Sequence, residues 1–199
     1  MLALALDTAT DAASAALVRD GDVLDKRLTT AATVLGAFEK LLEGAGETPA
    51  AVTRIVVGRG PGRYTSLRMG LVTARALAFS LAAELIGVGT LDALAAGAPG
   101  ALPIVDARRR EVFTLGGEPV CVRPDELSIA PGRLCVGDGA VRYRELLESA
   151  GGVVPPDADP RHVPWASAHA ALADSQGGPA EPIYLRLPDA DQAIVRPGG

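Results

Sequence analysis

Within Val56–Gly70, VVGRGPGRYTSLRMG, the glycines and Arg63 have the types and spacing for anion chemistry. Gly58, Gly60 and Gly62 can take positive φ or let another backbone come close. Pro61 fixes the bend between two of them. The run Arg54-Ile55-Val56-Val57 before the loop suits a buried strand. Thr65 or Ser66 is suited to cap the mostly apolar helix that follows to about Ala83. A glycine-proline loop ending on a helix start presents backbone N–H groups, and such groups favour an anion. The loop is not a Walker A loop, because Gly-Lys-Ser/Thr is absent, and it is not G-x-G-x-x-G. Anion binding and a plain tight strand-to-helix turn both fit this pattern.

Other chemistries find little support. Cys121 and Cys135 are the only cysteines and form no C-x-x-C, so reduced buried thiols are expected. The only histidines, His162 and His169, lie in a Pro- and Ala-rich stretch and read as incidental. There is no supported Ser-His-Asp arrangement, no H-E-x-x-H and no second good phosphate loop. No metal site and no cofactor are therefore expected. The 199 residues suffice for one large domain or two small ones. A net charge of −5 argues against a protein that grips RNA phosphates by itself. Arg108-Arg109-Arg110 could touch RNA or simply be solvated. With no basic n-region and no long uncharged apolar run, a cytoplasmic location away from membranes is expected.

These residues must be positioned by mixed strands and helices. Leu2–Leu6, Ala12–Val18 and Val23–Leu28 read as antiparallel strands, with Asp20-Gly21 as a hairpin turn. Thr33–Gly44 reads as an amphipathic helix burying Val34, Leu35, Phe38, Leu41 and Leu42. Helix 66–83 differs, because it is apolar on two sides. Leu67, Leu71, Ala74, Leu77, Ala78 and Leu81 make one face; Met69, Val72, Ala76, Phe79 and Ala83 make the other. Thr73 and Ser80 lie on a polar line between them. A helix apolar on two sides is buried on two sides, so the second face needs another helix or another chain. Leu85–Val88 is a strand, and Thr90 caps a helix to about Ala96. Gly97-Ala98-Pro99-Gly100 divides residues 1–100 from a shorter half, 101–199. In that half, strands are expected at 102–105, 111–115, 120–122 and 134–136. A helix over 140–150 buries Tyr143, Leu146, Leu147 and Ala150; a weak helix covers 165–175, a strand 183–186, and the tail from Pro188 is loose or partner-dependent. The order of the first half matches a ribonuclease-H-like unit with a mixed sheet covered by helices.

GPGRYTSLRMGLVTARALAF resembles the glycine-proline signature of the bacterial TsaB (YeaZ) proteins. LALDTATDAASAAL, VGVGTLDALA, VDARRREVF, VGDGA and PIYLR follow in that family's order along nearly the whole chain. The resemblance implies an actin-like ATPase (ribonuclease-H-like) α/β fold of two halves, here with the second half trimmed. It implies work in threonylcarbamoyl-adenosine modification of tRNA position 37, as the non-catalytic partner of TsaD. The H-x-x-x-H metal pair of those catalytic partners is missing here. In actin-like ATPases the first hairpin carries a D-x-G-T turn near metal and phosphate; this chain has Asp7-Thr8-Ala9-Thr10. Asp7 is thus a weakened remnant of a nucleotide site, or a turn Asp bonding its own backbone. Asp106 heads the equivalent position of the second half.

Two functions compete. One is a scaffold that pairs with a TsaD-like subunit and helps recruit a TsaE-like ATPase, touching tRNA only through the complex. Its joint would use Met69, Val72, Thr73, Ala76, Phe79 and Ser80, with Gly36 and Lys40 of helix 33–44; a homodimer would use the same helices. The other is a small actin-like ATPase or kinase using Asp7, Thr8, Gly60, Gly62, Arg63 and Thr65 on phosphates.

Overall fold

Strand β1 (Leu2–Asp7) is buried along its whole length, because both of its faces are covered. It pairs antiparallel with β2 (Ala13–Arg19), which pairs antiparallel with β3 (Asp22–Thr29) across the Asp20-Gly21 turn. On its other side β1 pairs parallel with β4 (Val52–Gly58), and β4 with β5 (Glu84–Val88), giving the order β3-β2-β1-β4-β5. The computed structural model describes residues 1–185 of the chain.

Alternation along the strands sorts the two faces by size. Leu4, Leu6, Leu17, Ile55 and Val57 meet helices α1 (Val34–Ala45) and α2 (Tyr64–Leu81). Ala5, Ala16, Val56 and Val88 face the other way and meet α6 (Ala166–Gln176) through Ala166 and Ala173. Small residues on both partners let the helix sit close to the sheet. Helix α6 follows the second sheet in sequence yet covers the first sheet. The chain therefore crosses the Gly97–Gly100 turn, builds a second half and returns.

The second sheet has the order β8-β7-β6-β9, with β6 (Leu102–Arg108), β7 (Glu111–Gly116), β8 (Glu118–Val122) and β9 (Cys135–Val136). It repeats the antiparallel hairpins and the parallel return of the first sheet and stops one strand short. Helix α3 (Thr90–Gly97) joins the halves, packing on α6 and β6. This is the two-half, mixed-sheet α/β architecture expected from the sequence, with the second half trimmed. No helix among the described residues is long and apolar enough to cross a membrane.

Several local expectations are corrected. Leu35 is 51% exposed, because the buried stripe of α1 runs through Val34, Ala37, Phe38, Leu41 and Leu42 and leaves Leu35 beyond its edge. Helix α2 starts at Tyr64 with Arg63 as its extended cap residue, not at a Thr65 or Ser66 cap, because the Arg63 amide is fixed by the Ala9 carbonyl at 2.8 Å. Thr90 lies inside α3 and its hydroxyl bonds Asp7 instead of capping. The helix expected over 140–150 breaks at Tyr143 into α4 (Asp138–Arg142) and α5 (Arg144–Ser149). There Arg144 donates to the carbonyls of Val154 and Pro155, pinning the chain. Leu147 is buried, Tyr143 only partly, and Leu146 and Ala150 face outward. Residues 183–185 form no strand. The segment bridges Gly87 at Gly178 and reaches the Arg59 carbonyl through Ile183, but Pro179 and Pro182 have no N–H for a ladder. The rest of that expected strand, Arg186, and the tail from Pro188 lie outside the described residues.

The β6–β7 turn is unusual. Arg108, Arg109 and Arg110 have φ of 61°, 52° and 61°, a left-handed conformation in three consecutive side-chain-bearing residues. Each costs on the order of 1 kcal/mol relative to a glycine there.

Two stability measurements follow. A Cβ at Gly58 would overlap Asp7 Oδ2, whereas one at Gly44 in α1 meets nothing within 4 Å. Gly58→Ala is expected to cost about 3 kcal/mol in urea unfolding and Gly44→Ala to add about 0.5 kcal/mol; equal effects would contradict the packing. Asp138 accepts the Asp106 amide at 2.9 Å, and burial pushes its carboxyl up to about 6. An unfolded Asp titrates near 3.9, so the group's contribution is full below about pH 4 and lost as pH rises through about 6. Asp138→Asn keeps the acceptor without the charge. It should therefore gain about 2 kcal/mol over the parent at pH 7.5 and nothing at pH 4; a gain independent of pH would overturn the assignment.

Candidate functional site

At the end of β1 the chain turns through Asp7, Thr8 and Ala9, and the side chains of Asp7 and Thr8 find partners within the protein. Asp7 Oδ1 accepts the Ala9 amide at 2.7 Å, so the aspartate does bond its own backbone. Asp7 Oδ2 accepts the Thr90 hydroxyl at 2.7 Å and lies 2.8 Å from His169 Nε2. Asp7 and His169 are both fully buried. His169 Nδ1 faces the Trp165 carbonyl at 3.1 Å. Both ring nitrogens thus lie near oxygen atoms of the protein. The Nε2–Oδ2 approach is close but is not an aligned hydrogen bond. His169 is not incidental, as its sequence neighbourhood suggested.

The glycine-proline loop closes over the same turn. Thr8 Oγ1 donates to the Ser66 carbonyl at 2.7 Å, and its hydroxyl abuts Gly70, where no Cβ would fit. Gly62 packs on the Ala9 backbone with equally little room. Gly60 has φ +85°, its carbonyl accepts the Thr90 amide at 2.9 Å, and the Gly60–Pro61 peptide is cis. Asp7, Thr8, Gly60 and Gly62 are therefore brought together, bonded or packed against their own chain. Arg63 pairs with Asp11 at the rim. Thr65 is exposed on α2 and belongs to a different surface.

Asp106 ends its strand in the same turn, Oδ1 accepting the Arg108 amide at 3.0 Å. Its other oxygen lies 3.2 Å from both Arg108 and Arg142, and Arg108 reaches Asp11 at 3.8 Å. A chain of ion pairs, Arg63–Asp11–Arg108–Asp106–Arg142, thus bridges the two halves. Among the described residues no cluster of three or more His, Cys, Asp or Glu is placed to hold a metal ion.

The outward side of α2 is an apolar face left open among the described residues. Phe79 is 91% exposed, Val72 63% and Met69 42%. Ala76 and Ser80 are exposed beside them, and Thr73 is half-buried. Neither α1 nor the described C-terminal segment covers this face. An open groove of about 480 Å³ at its start is lined by Tyr64, Thr65, Arg68, Met69, Val72 and Thr73. Tyr184 packs on Tyr64, ring centroids 5.3 Å apart, and Arg68 lies over the same ring. On α1, Lys40 is exposed and Gly36 half-buried. Sequence reasoning missed Tyr64 and Arg68 as groove residues, although both recur at helical spacing with Met69 and Val72.

Known proteins resemble this chain over much of its length. The family model described as TsaD, tRNA N6-adenosine threonylcarbamoyltransferase, matches residues 30–136. An uncharacterized protein of Mycobacterium tuberculosis (strain H37Rv) is 35% identical, over 96% of this chain and 95% of its own length. The tRNA threonylcarbamoyladenosine biosynthesis protein TsaB of Bacillus subtilis is 35% identical, over 57% of this chain and 54% of its own. The solved structure of YeaZ from Pseudomonas aeruginosa has a TM-score of 0.74 and 28% identity, covering 92% of this chain and 99% of that one. With the family model over more than half of its length and the YeaZ architecture along nearly all of it, this chain belongs to the TsaB (YeaZ) family.

Proposed function

We propose that this chain is a non-catalytic subunit of the machinery that places threonylcarbamoyl-adenosine in tRNA, pairing through α2 with a TsaD-like transferase. The observation that carries the reading is the outward stripe Met69, Val72, Ala76 and Phe79 on a helix whose opposite side already fills the core. An exposed phenylalanine in such a stripe marks an association surface. The name of the B. subtilis relative supports the pathway. The sealed Asp7 supports a role without nucleotide chemistry, since neither of its oxygens faces solvent. A TsaE-like ATPase would join the pair, tRNA would be met through the complex, and a homodimer would compete for the same helices. A cytoplasmic location follows from that work. The ATPase reading needs Asp7 on a phosphate, and the turn would first have to release Thr90 and His169.

The mass in solution tests the pairing. The chain mixed with its cognate TsaD-like protein should run at the sum of the two masses. Ala76→Arg places a charge in the apolar joint and should weaken pairing roughly 100-fold, about 3 kcal/mol. Because Ala76 is exposed, the melting temperature of the variant should stay that of the parent. A folded variant that still pairs would remove α2 from the interface. Saturable, magnesium-dependent ATP binding by the isolated parent would favour the ATPase reading instead.

A further inference from the structure

The arginines along the mouth between the halves have no role in the pairing surface. Arg63 comes from the loop before α2, Arg108 to Arg110 from the β6–β7 turn, and Arg142 from α4. Asp106 lies beneath at 5% exposure, while the side chains of Arg108 and Arg142 stand 48% and 51% exposed above it. Asp11, 61% exposed, ties Arg63 and Arg108 into one row. Arg109 and Arg110 follow Arg108 in the same turn, both exposed. The turn holds three arginines in left-handed backbone, where Asn-Gly would sit without strain. Strain of this kind is retained where the side chains so displayed have a use.

We infer that the arginine row Arg63, Arg108–Arg110 and Arg142 is a contact for the phosphodiester backbone of RNA. Guanidinium forks on three separate elements suit a succession of phosphates better than one small anion. The chain's net charge of −5 keeps its general affinity for nucleic acid low, so the row acts on an RNA already held by a partner. This rests on the reading that the chain works in a tRNA-modifying complex, with the row beside the Tyr64 end of the pairing helix.

The test uses the chain reconstituted with its TsaD-like partner and an unmodified tRNA, titrated between 50 and 200 mM salt. The turn variant combines Arg109→Asn with Arg110→Gly, and a second variant is Arg110→Gln alone. The turn variant should bind tRNA about 10-fold more weakly at 50 mM salt, with the slope of log affinity against log salt shallower by about 2. Arg110→Gln should change that slope about half as much. The turn variant should also melt a few degrees higher than the parent, because its residues fit the backbone, which separates lost binding from lost fold. Unchanged affinity and slope, with pairing intact, would overturn the proposal and leave the subunit reading standing. Lost pairing with unchanged tRNA affinity would also overturn it and assign the turn to a protein surface. A parent complex without tRNA affinity would overturn both.

Discussion

The carboxylate of Asp7 is a buried charge held by groups from three parts of the chain: the Ala9 amide next to it, the Thr90 hydroxyl on α3 and the His169 ring on α6. Such a charge persists only while its partners stay, because losing one leaves an uncompensated ion worth about 3–5 kcal/mol. Strand β4 must then pass with no side chain, and Gly58 stands there. Helix α6, which follows the whole second half in sequence, is thereby fixed to the first sheet. Ser14 on neighbouring β2 reinforces the seam, donating to the Pro164 carbonyl and accepting the Ala166 amide. The two halves are consequently one interlocked body, closed by a helix that follows the second half in sequence.

The second half repeats the turn and not its burial. Asp106 folds back on the Arg108 amide as Asp7 does on Ala9, so the hairpin geometry is the same. Its free oxygen meets arginines at the mouth where that of Asp7 meets a histidine in the core. A nucleotide between two such halves would need both acids turned to the cleft. Here one is sealed and the other is neutralised by a row that reaches across to Asp11. Both acids at the strand ends thus serve to hold the protein together.

What could be read from the sequence divides along physical lines. The strands of the first half and both stripes of α2 were legible, because hydrophobic period is a local signal and α2 shows it twice. The turn at Asp7 was legible as an aspartate turn, but His169 was not its visible partner, since no local pattern ties residues that far apart. Helix α6 reads weakly because alanines surround it; its fit to Ala5 and Ala16 exists only once β1 and β2 are paired. The break at Tyr143 follows from Arg144 reaching past its helix to residues 154 and 155. The arginine turn was hidden for a different reason: positive φ is signalled by Gly or Asn, as at Asp20-Gly21, and arginine carries no such mark.

Helix α2 fills the core with one side and leaves the other open for the proposed association. Its inner side, Leu67, Gly70, Leu71, Ala74 and Ala78, is fully committed, and Gly70 admits the Thr8 hydroxyl that closes the turn after Asp7. Its outer side contributes almost nothing to that core, as the exposure of Phe79 and Val72 requires. Residues relieved of folding duty are open to selection for a partner alone, and large apolar ones are retained there only if something covers them. The inner and outer sides are nonetheless joined through one backbone, since the Ser66 carbonyl that holds Thr8 lies one turn before Met69. A partner seated on the outer stripe, as proposed, would therefore bear directly on the closed turn. Thr90 and His169 hold that turn closed, and the Thr8 hydroxyl ties it to the start of α2, whose outer side is the proposed pairing surface.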